Sequence, residues 1–319
     1  MRGLSRGQQI VPYIPYVLVC GILVAVPQVL TSYLMGLVIV VLIYAIAAMA
    51  FDLLLGYTGM LSFGHVVGWG IGSYTVGILV GKGITENFWI VLGVAILVAL
   101  IVSAVFGFLA LRTSGIYFTL ITLALAQLLY VLTLKWVNLT GGENGLTGIT
   151  RPWSLGDVSY YYLVLVAFII CFLLMRWLIN SWFGKVLIGI RENEPRMLML
   201  GYRTWAFKYL IYIITGVFAA IGGLLICFYN GIAVPDHFGF AVSGNFLLMV
   251  FIGGRGTLFG SLIGSIIVVF AINYLSAYID MWMLVLGIIF VLVVMLGRKG
   301  IGGYLLEWWQ KIRLVPTKQ

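Results

Sequence analysis

The sequence predicts an all-α, polytopic transmembrane helix bundle of about ten spans, with the N-terminus and C-terminus both cytoplasmic. Three observations lead there. The 319 residues are 63% hydrophobic and 8% charged, where a water-soluble globule carries about 25% charged residues, so the polar surface is too small to face water. The apolar residues fall in runs of about twenty, the length a helix needs to cross roughly 30 Å of hydrocarbon. Barrel strands would leave short alternating segments instead. Finally, ten crossings sort the basic residues by side: Arg2, Arg6, Arg112, Arg176, Lys185, Arg191, Arg196, Arg203, Lys208, Arg255, Arg298, Lys299, Lys311, Arg313 and Lys318 fall inside, and only Lys82, Lys135 and Arg151 outside. That is the positive-inside bias of a correctly counted topology, and one span more or fewer would scatter the later basic loops over both faces.

The spans are expected at residues 10–30, 34–55, 60–80, 88–111, 115–134, 159–180, 207–229, 238–252, 257–275 and 279–296, all within one transmembrane domain covering 1–319. The first contains Pro12, Pro15 and Pro27 and should be kinked. Its basic flank, Arg2 and Arg6, suggests a secretory signal, but the apolar run is long and no A-x-A-like site follows, so it reads as a retained span. The eighth is short enough to be re-entrant. Cys20, Cys171 and Cys227 each sit alone in an apolar run and read as small core residues, and no metal site is expected. The net charge of +9 is accounted for by cytoplasmic loops against anionic lipid, so the bilayer is the expected partner and nucleic acid is not.

Two connections stand out. Residues 135–159, external on this topology, contain Thr140-Gly141-Gly142-Glu143-Asn144-Gly145-Leu146-Thr147-Gly148, a series of tight turns. Residues 181–206 form a charged cytoplasmic loop with Arg191-Glu192-Asn193-Glu194-Pro195-Arg196 followed by Met197-Leu198-Met199-Leu200-Gly201. Pro195 suits a first helical turn, acidic residues precede it where the helix dipole favours them, and Gly201 suits the C-terminal cap. A short surface helix with exposed Met and Leu is expected, either docking a partner or lying at the membrane interface.

Forty glycines are well above the usual share of about 7%. Gly64, Gly68 and Gly72 form one four-residue ladder and Gly256, Gly260 and Gly264 another, and such rows let helix backbones approach closely. The first ladder follows Gly56-Tyr57-Thr58-Gly59-Met60-Leu61-Ser62-Phe63-Gly64-His65, which interrupts the apolar run. Transporters bind substrate where a helix is broken within the membrane and its free N–H groups face a cavity. Gly56, Thr58, Gly59, Ser62, Phe63, Gly64 and His65 are therefore the candidate pathway residues: a carboxylate against the helix start, hydroxyls from Thr58 and Ser62, apolar wall from Phe63 or Trp69. Asp52, near the cytoplasmic end of the second span, is a further candidate, since a buried ion is costly without a partner. His65 and His237 stand apart from any Cys/His cluster and receive no catalytic role.

No phosphate loop is present: Gly77 to Gly83 lacks both the spacing and the hydroxyl after Lys82. Paired intramembrane carboxylates and H-E-x-x-H are missing from the sequence as well, so an uphill pump would draw its energy from another subunit.

These stations resemble, over residues 43–296, the permeases of the branched-chain amino acid ABC importers. They are Gly56 to His65 with Gly70-Ile71-Gly72-Ser73-Tyr74, Arg112-Thr113-Ser114-Gly115-Ile116-Tyr117-Phe118, Thr140 to Leu146, Phe183-Gly184 with Ile190 to Glu194, and Gly253-Gly254-Arg255-Gly256-Thr257-Leu258-Phe259-Gly260. The resemblance implies a heteromeric importer of the cell (inner) membrane. Its other subunits would be two cytoplasmic ABC ATPases that bind ATP and Mg, a second permease subunit, and an extracytoplasmic binding protein delivering leucine, isoleucine or valine. It implies no cofactor and no enzyme activity in this chain. It also makes the segment carrying Arg191, Glu192, Glu194, Gly201 and Arg203 the coupling segment. The chain departs from the family at Gly297-Arg298-Lys299-Gly300, where a proline is usual, and its tail of residues 297–319, with Trp308, Trp309, Lys311 and Arg313, suggests an interfacial helix. Weighed against this are the same machinery with urea, short amides or other amino acids as cargo, an ion-driven secondary carrier, and a membrane enzyme.

Overall fold

The computed structural model describes residues 30–278 and, on either side, residues 23, 24, 27, 28, 281, 284, 285, 287, 288 and 291. The interfacial tail thus lies outside the described residues, and the expected first and tenth spans lie largely outside them. Helices follow in the order α1 Ser32–Thr58, α2 Val66–Leu79, α3 Phe88–Ala110, α4 Ile116–Lys135, α5 Asp157–Asn180, α6 Trp182–Met199, α7 Thr204–Asn230, α8 Phe240–Gly253 and α9 Leu258–Tyr278. Single turns at Phe63–His65, Val137–Thr140, Gly142–Asn144, Pro152–Ser154 and Pro235–Phe238 lie between them. No strand forms among the described residues, only one antiparallel bridge between Leu146 and Ala233.

α1, α3, α4, α5, α7 and α9 are long and apolar enough to cross a membrane. α2 and α8, with 14 residues each, rise only about 21 Å and fall short of the hydrocarbon thickness as helices alone. Each is preceded by a single 3-10 turn, Phe63–His65 and Pro235–Phe238. Large apolar side chains point outward from α3, α4 and α5, including Leu97, Ile101, Leu120, Leu128, Ile170 and Leu173. Such a surface would aggregate in water and is at home against lipid tails.

α1 and α7 occupy the centre and bury most of their residues. α7 packs on α2 through missing side chains. A Cβ on Gly68 would strike the Gly216 carbonyl, one on Gly72 the Ala220 carbonyl, and one on Gly223 the Trp69 carbonyl. α8 and α9 form a hairpin of the same kind, with Gly264 against the Met249 carbonyl and Gly260 against that of Gly253. With no hydrophobic drive between helices in lipid, close backbone approach supplies the dispersion contact that holds them.

Successive connections gather at opposite ends. At one, residues 58–61, 111–116 and 190–195 surround a shared cavity, and Gly256 meets Gly56. At the other, Leu146 and Ala233 exchange two 2.9 Å backbone bonds, the Ile149 amide donates to Gly231 O at 3.3 Å, and Lys82 Nζ donates to Asn138 O at 2.7 Å. The first end carries Arg112, Arg191, Arg255 and Lys208, and is called the basic end below.

Two segments differ from the spans read in the sequence. Helix is expected from residue 60, yet α2 starts at Val66. Gly59 takes a left-handed cap (φ 75°), residue 62 is extended, and the Ser62 hydroxyl accepts the Gly64 amide at 3.2 Å, holding the chain in a local turn. Residues 181–206, expected as a loop with one short helix, are helical from Trp182 to Met199 with a break at Asn193 (φ −160°, ψ 92°). Val186, Leu187 and Ile190 bury one stripe of the first arm, which explains why so charged a segment folds as helix.

Candidate functional site

The central feature is the connection from α1 to α2. α1 ends because Gly59 turns left-handed, its amide bonding to Leu55 O at 3.2 Å and the Met60 amide to Leu54 O at 3.1 Å. The next residues cannot use their carbonyls in a helix, and neighbours satisfy them: the Thr119 hydroxyl donates to Leu61 O at 2.8 Å and the Ser243 hydroxyl to Phe63 O at 2.9 Å. Non-helical backbone is tolerated at membrane depth under this condition, buried in protein and paired.

The candidate pathway residues take distinct places along it. The Thr58 hydroxyl donates to Leu54 O in its own helix, so it is committed there. Ser62 is fully buried and bonded to the Gly64 amide, with the Tyr212 hydroxyl as its other neighbour. Phe63 is half-buried against Phe240, ring centres 5.2 Å apart. Gly64 is needed for space, because a Cβ there would press on Thr122 and the Tyr212 hydroxyl. His65 is buried between the rings of Phe51 (5.8 Å) and Tyr212 (6.0 Å), and neither ring nitrogen has a hydrogen-bond partner. Trp69 is enclosed by Tyr44 and Phe246, at 5.0 and 5.2 Å, and belongs to the core and not to a cavity wall.

Beside the connection, at the basic end, opens a cavity of about 1010 Å³. Its walls are residues 58–61, the turn at 111–119, residues 190–195 of α6, and Trp205 and Lys208 of α7. Arg191 reaches across from α6, donating from its guanidinium to Gly56 O and packing its stem on Gly59. Lys208 pairs with Glu194 at 2.5 Å. Glu192 and Arg203 are exposed.

Beyond the break in α6 the backbone is capped at both ends. Asn193 Oδ1 accepts the Arg196 amide at 2.9 Å, placing Glu194 and Pro195 in the first turn. At the far end Gly201 (φ 85°) closes a Schellman turn, with Gly201 N–H to Leu198 O at 3.0 Å and Tyr202 N–H to Met197 O at 3.1 Å. The short arm between carries Leu198, Met199 and Leu200 at 55%, 88% and 66% exposure.

Sequence reasoning brought Arg191 and the Gly56 to Gly59 segment forward separately, and the structure joins them. It missed Thr119 and Ser243, which satisfy the carbonyls of the connection, and Tyr212, which neighbours the Ser62 hydroxyl. A hydroxyl on an apolar span is the only local sign such residues give. Among the described residues no group of three or more His, Cys, Asp or Glu could hold a metal ion.

Known proteins share this sequence pattern. The family model described as branched-chain amino acid transport system / permease component matches residues 33–294. The Escherichia coli (strain K12) high-affinity branched-chain amino acid transport system permease protein LivM is 26% identical over 291 residues, covering 82% of this chain and 68% of that protein. The LivH permease protein of the corresponding Salmonella typhimurium system is 26% identical over 257 residues, covering 74% of this chain and 83% of its own. The autoinducer 2 import system permease protein LsrC of Yersinia pseudotuberculosis is 28% identical over 215 residues, covering 61% and 58%. No solved structure matches the chain.

Proposed function

The chain belongs to the branched-chain amino acid transport permease family, and from that membership we propose that it is the membrane-spanning permease subunit of an ATP-driven ABC importer that translocates branched-chain amino acids. In this reading the chain crosses the inner membrane ten times with its basic end in the cytoplasm. Two ABC ATPase subunits, binding ATP and Mg, sit below α6, and a second permease subunit lies alongside. An extracytoplasmic binding protein delivers the amino acid. Similarity to both LivM and LivH proteins supports a paired permease.

The observation that carries the proposal is α6. Its distal arm presents Leu198, Met199 and Leu200 beyond the bundle, and its proximal arm holds, through Arg191, the backbone where α1 gives way to the unwound connection. A partner closing on ATP would grip the first and move the second, changing access to the cavity beside Gly59 and Leu61. Arg191, Glu192, Glu194, Gly201 and Arg203 then serve coupling, and of the candidate pathway residues Thr58 and Gly59 line the cavity while Gly56, Ser62, Phe63, Gly64 and His65 support its wall from behind.

Uptake of labelled leucine by proteoliposomes holding the assembled complex tests this. Uptake should require ATP, the ATPase subunits and the binding protein. Uptake that persists without the ATPase subunits would overturn the proposal in favour of a secondary carrier. A second reading keeps the machinery and changes the cargo, favoured by similarity to an autoinducer 2 import permease. Competition by urea, short amides and other amino acids in the same assay separates the two.

A further inference from the structure

Among the described residues Asp52 is the only carboxylate, lysine or arginine that is fully buried. A carboxylate at that depth is stable only if it is partnered. Its Oδ1 accepts the Gly256 amide, at 2.8 Å, from the turn between α8 and α9. Its Oδ2 has no hydrogen-bond partner, and Arg191 from α6 and Arg255 from the same turn as Gly256 lie near enough to favour its charge without forming an ion pair. Arg255 is itself held over the Phe251 ring, 4.8 Å from its centre.

Two glycines make the contact possible. A Cβ on Gly56 would collide with Asp52 Oδ1 and with the Gly256 amide, and would lie 2.7 Å from Gly256 Cα. Gly256 takes φ 78°, which aims its amide inward. The end of α1, the α8–α9 turn and α6 therefore meet within one helical turn, since Arg191 donates to Gly56 O on the same stretch.

We propose that Asp52 is a positioning residue: its carboxylate clamps the α8–α9 turn onto the end of α1, making a fulcrum against which Arg191 converts movement of α6 into movement of the 59–65 connection. This rests on the coupling role proposed for α6. Without the clamp, α6 would still move with the ATPase subunits, but the α1 end would yield locally instead of turning the connection. Loss of the clamp thus separates ATP hydrolysis from transport.

The test uses proteoliposomes with the assembled complex and the binding protein, reading leucine uptake and ATP hydrolysis together. In Asp52→Ala, hydrolysis should stay within about twofold of wild type while uptake per ATP falls at least tenfold, with Asp52→Asn, which keeps an acceptor for Gly256, in between. A second arm needs no change at Asp52. The Gly59 Cβ position lies 3.9 Å from Arg191 Cβ, inside the roughly 3.5–4.5 Å that a disulfide spans. In a background with Cys20, Cys171 and Cys227 changed to Ala, the Gly59→Cys/Arg191→Cys pair should be uncoupled when reduced and regain at least half of its coupling when oxidised, because the bond replaces the strut. Gly59→Cys alone controls for strain at φ 75°. Normal coupling in Asp52→Ala, or oxidation that fails to restore the pair, overturns the proposal, and if Asp52→Ala fails to fold Asp52→Asn decides, wild-type uptake per ATP in that variant overturning the clamp. Wild-type complex that shows no ATP-dependent uptake would instead defeat the importer reading itself.

Discussion

The two ends of the bundle are built differently. Opposite the basic end, connections are joined by paired backbone bonds as well as by side chains: Leu146 and Ala233 bond in both directions, Ile149 bonds to Gly231, Lys82 donates to Asn138 O, and Arg151 pairs with Asp157 at 2.5 Å while its guanidinium lies 5.3 Å from the Tyr160 ring centre. At the basic end the connections surround an open cavity and are tied by single side chains, Arg191 to Gly56 and Lys208 to Glu194. At the opposite end the two bonds between Leu146 and Ala233 must open together, whereas each side-chain tie at the basic end can break alone. The importer proposed above would use this asymmetry, its basic end moving against the opposite end.

Four substitutions break or sharpen the contrast. Gly145→Val strikes the opposite end: Gly145 has φ 67° and a Cβ there would meet Ala233 O, so a loss of about 3 kcal/mol or more is expected, read as a lower unfolding temperature in detergent. His65→Phe lies between the ends. It removes an imidazole with no hydrogen-bond partner, so stability should rise by about 1 kcal/mol, read as a higher unfolding temperature in detergent. Gly201→Ala touches open space at φ 85° and should cost about 1 kcal/mol, confined to the distal arm of α6, seen as roughly fivefold faster amide exchange at Tyr202 with the global melt unchanged. Glu194→Gln removes a partly exposed ion pair worth about 0.5 kcal/mol; melting should hardly move, and any fall in uptake per ATP then reports coupling.

Much of the fold could be read from the chain because lipid imposes helix length and apolar composition together. α1, α3, α5, α7 and α9 lie within a few residues of the apolar runs that announce them. The cap at Gly201 and the helix start near Pro195 were likewise visible, since both depend on local backbone chemistry. The proximal arm of α6 was not, because charge in residues 181–206 suggested a loop, and its buried stripe of Val186, Leu187 and Ile190 is short. The junction of Asp52, Gly56 and Gly256 lay out of reach for another reason. Two glycines 200 residues apart carry no sign that they face each other, and the carboxylate that joins them shows only as an unusual residue in an apolar run.

One measurement bears most directly on the importer account: labelling of Met199→Cys, in the background free of native cysteines, with a membrane-impermeant maleimide. Reaction is expected in inside-out vesicles stripped of ATPase subunits, with protection when those subunits are restored and no reaction in right-side-out vesicles. Reaction from the outer face would place α6 beyond the reach of any cytoplasmic engine and contradict it.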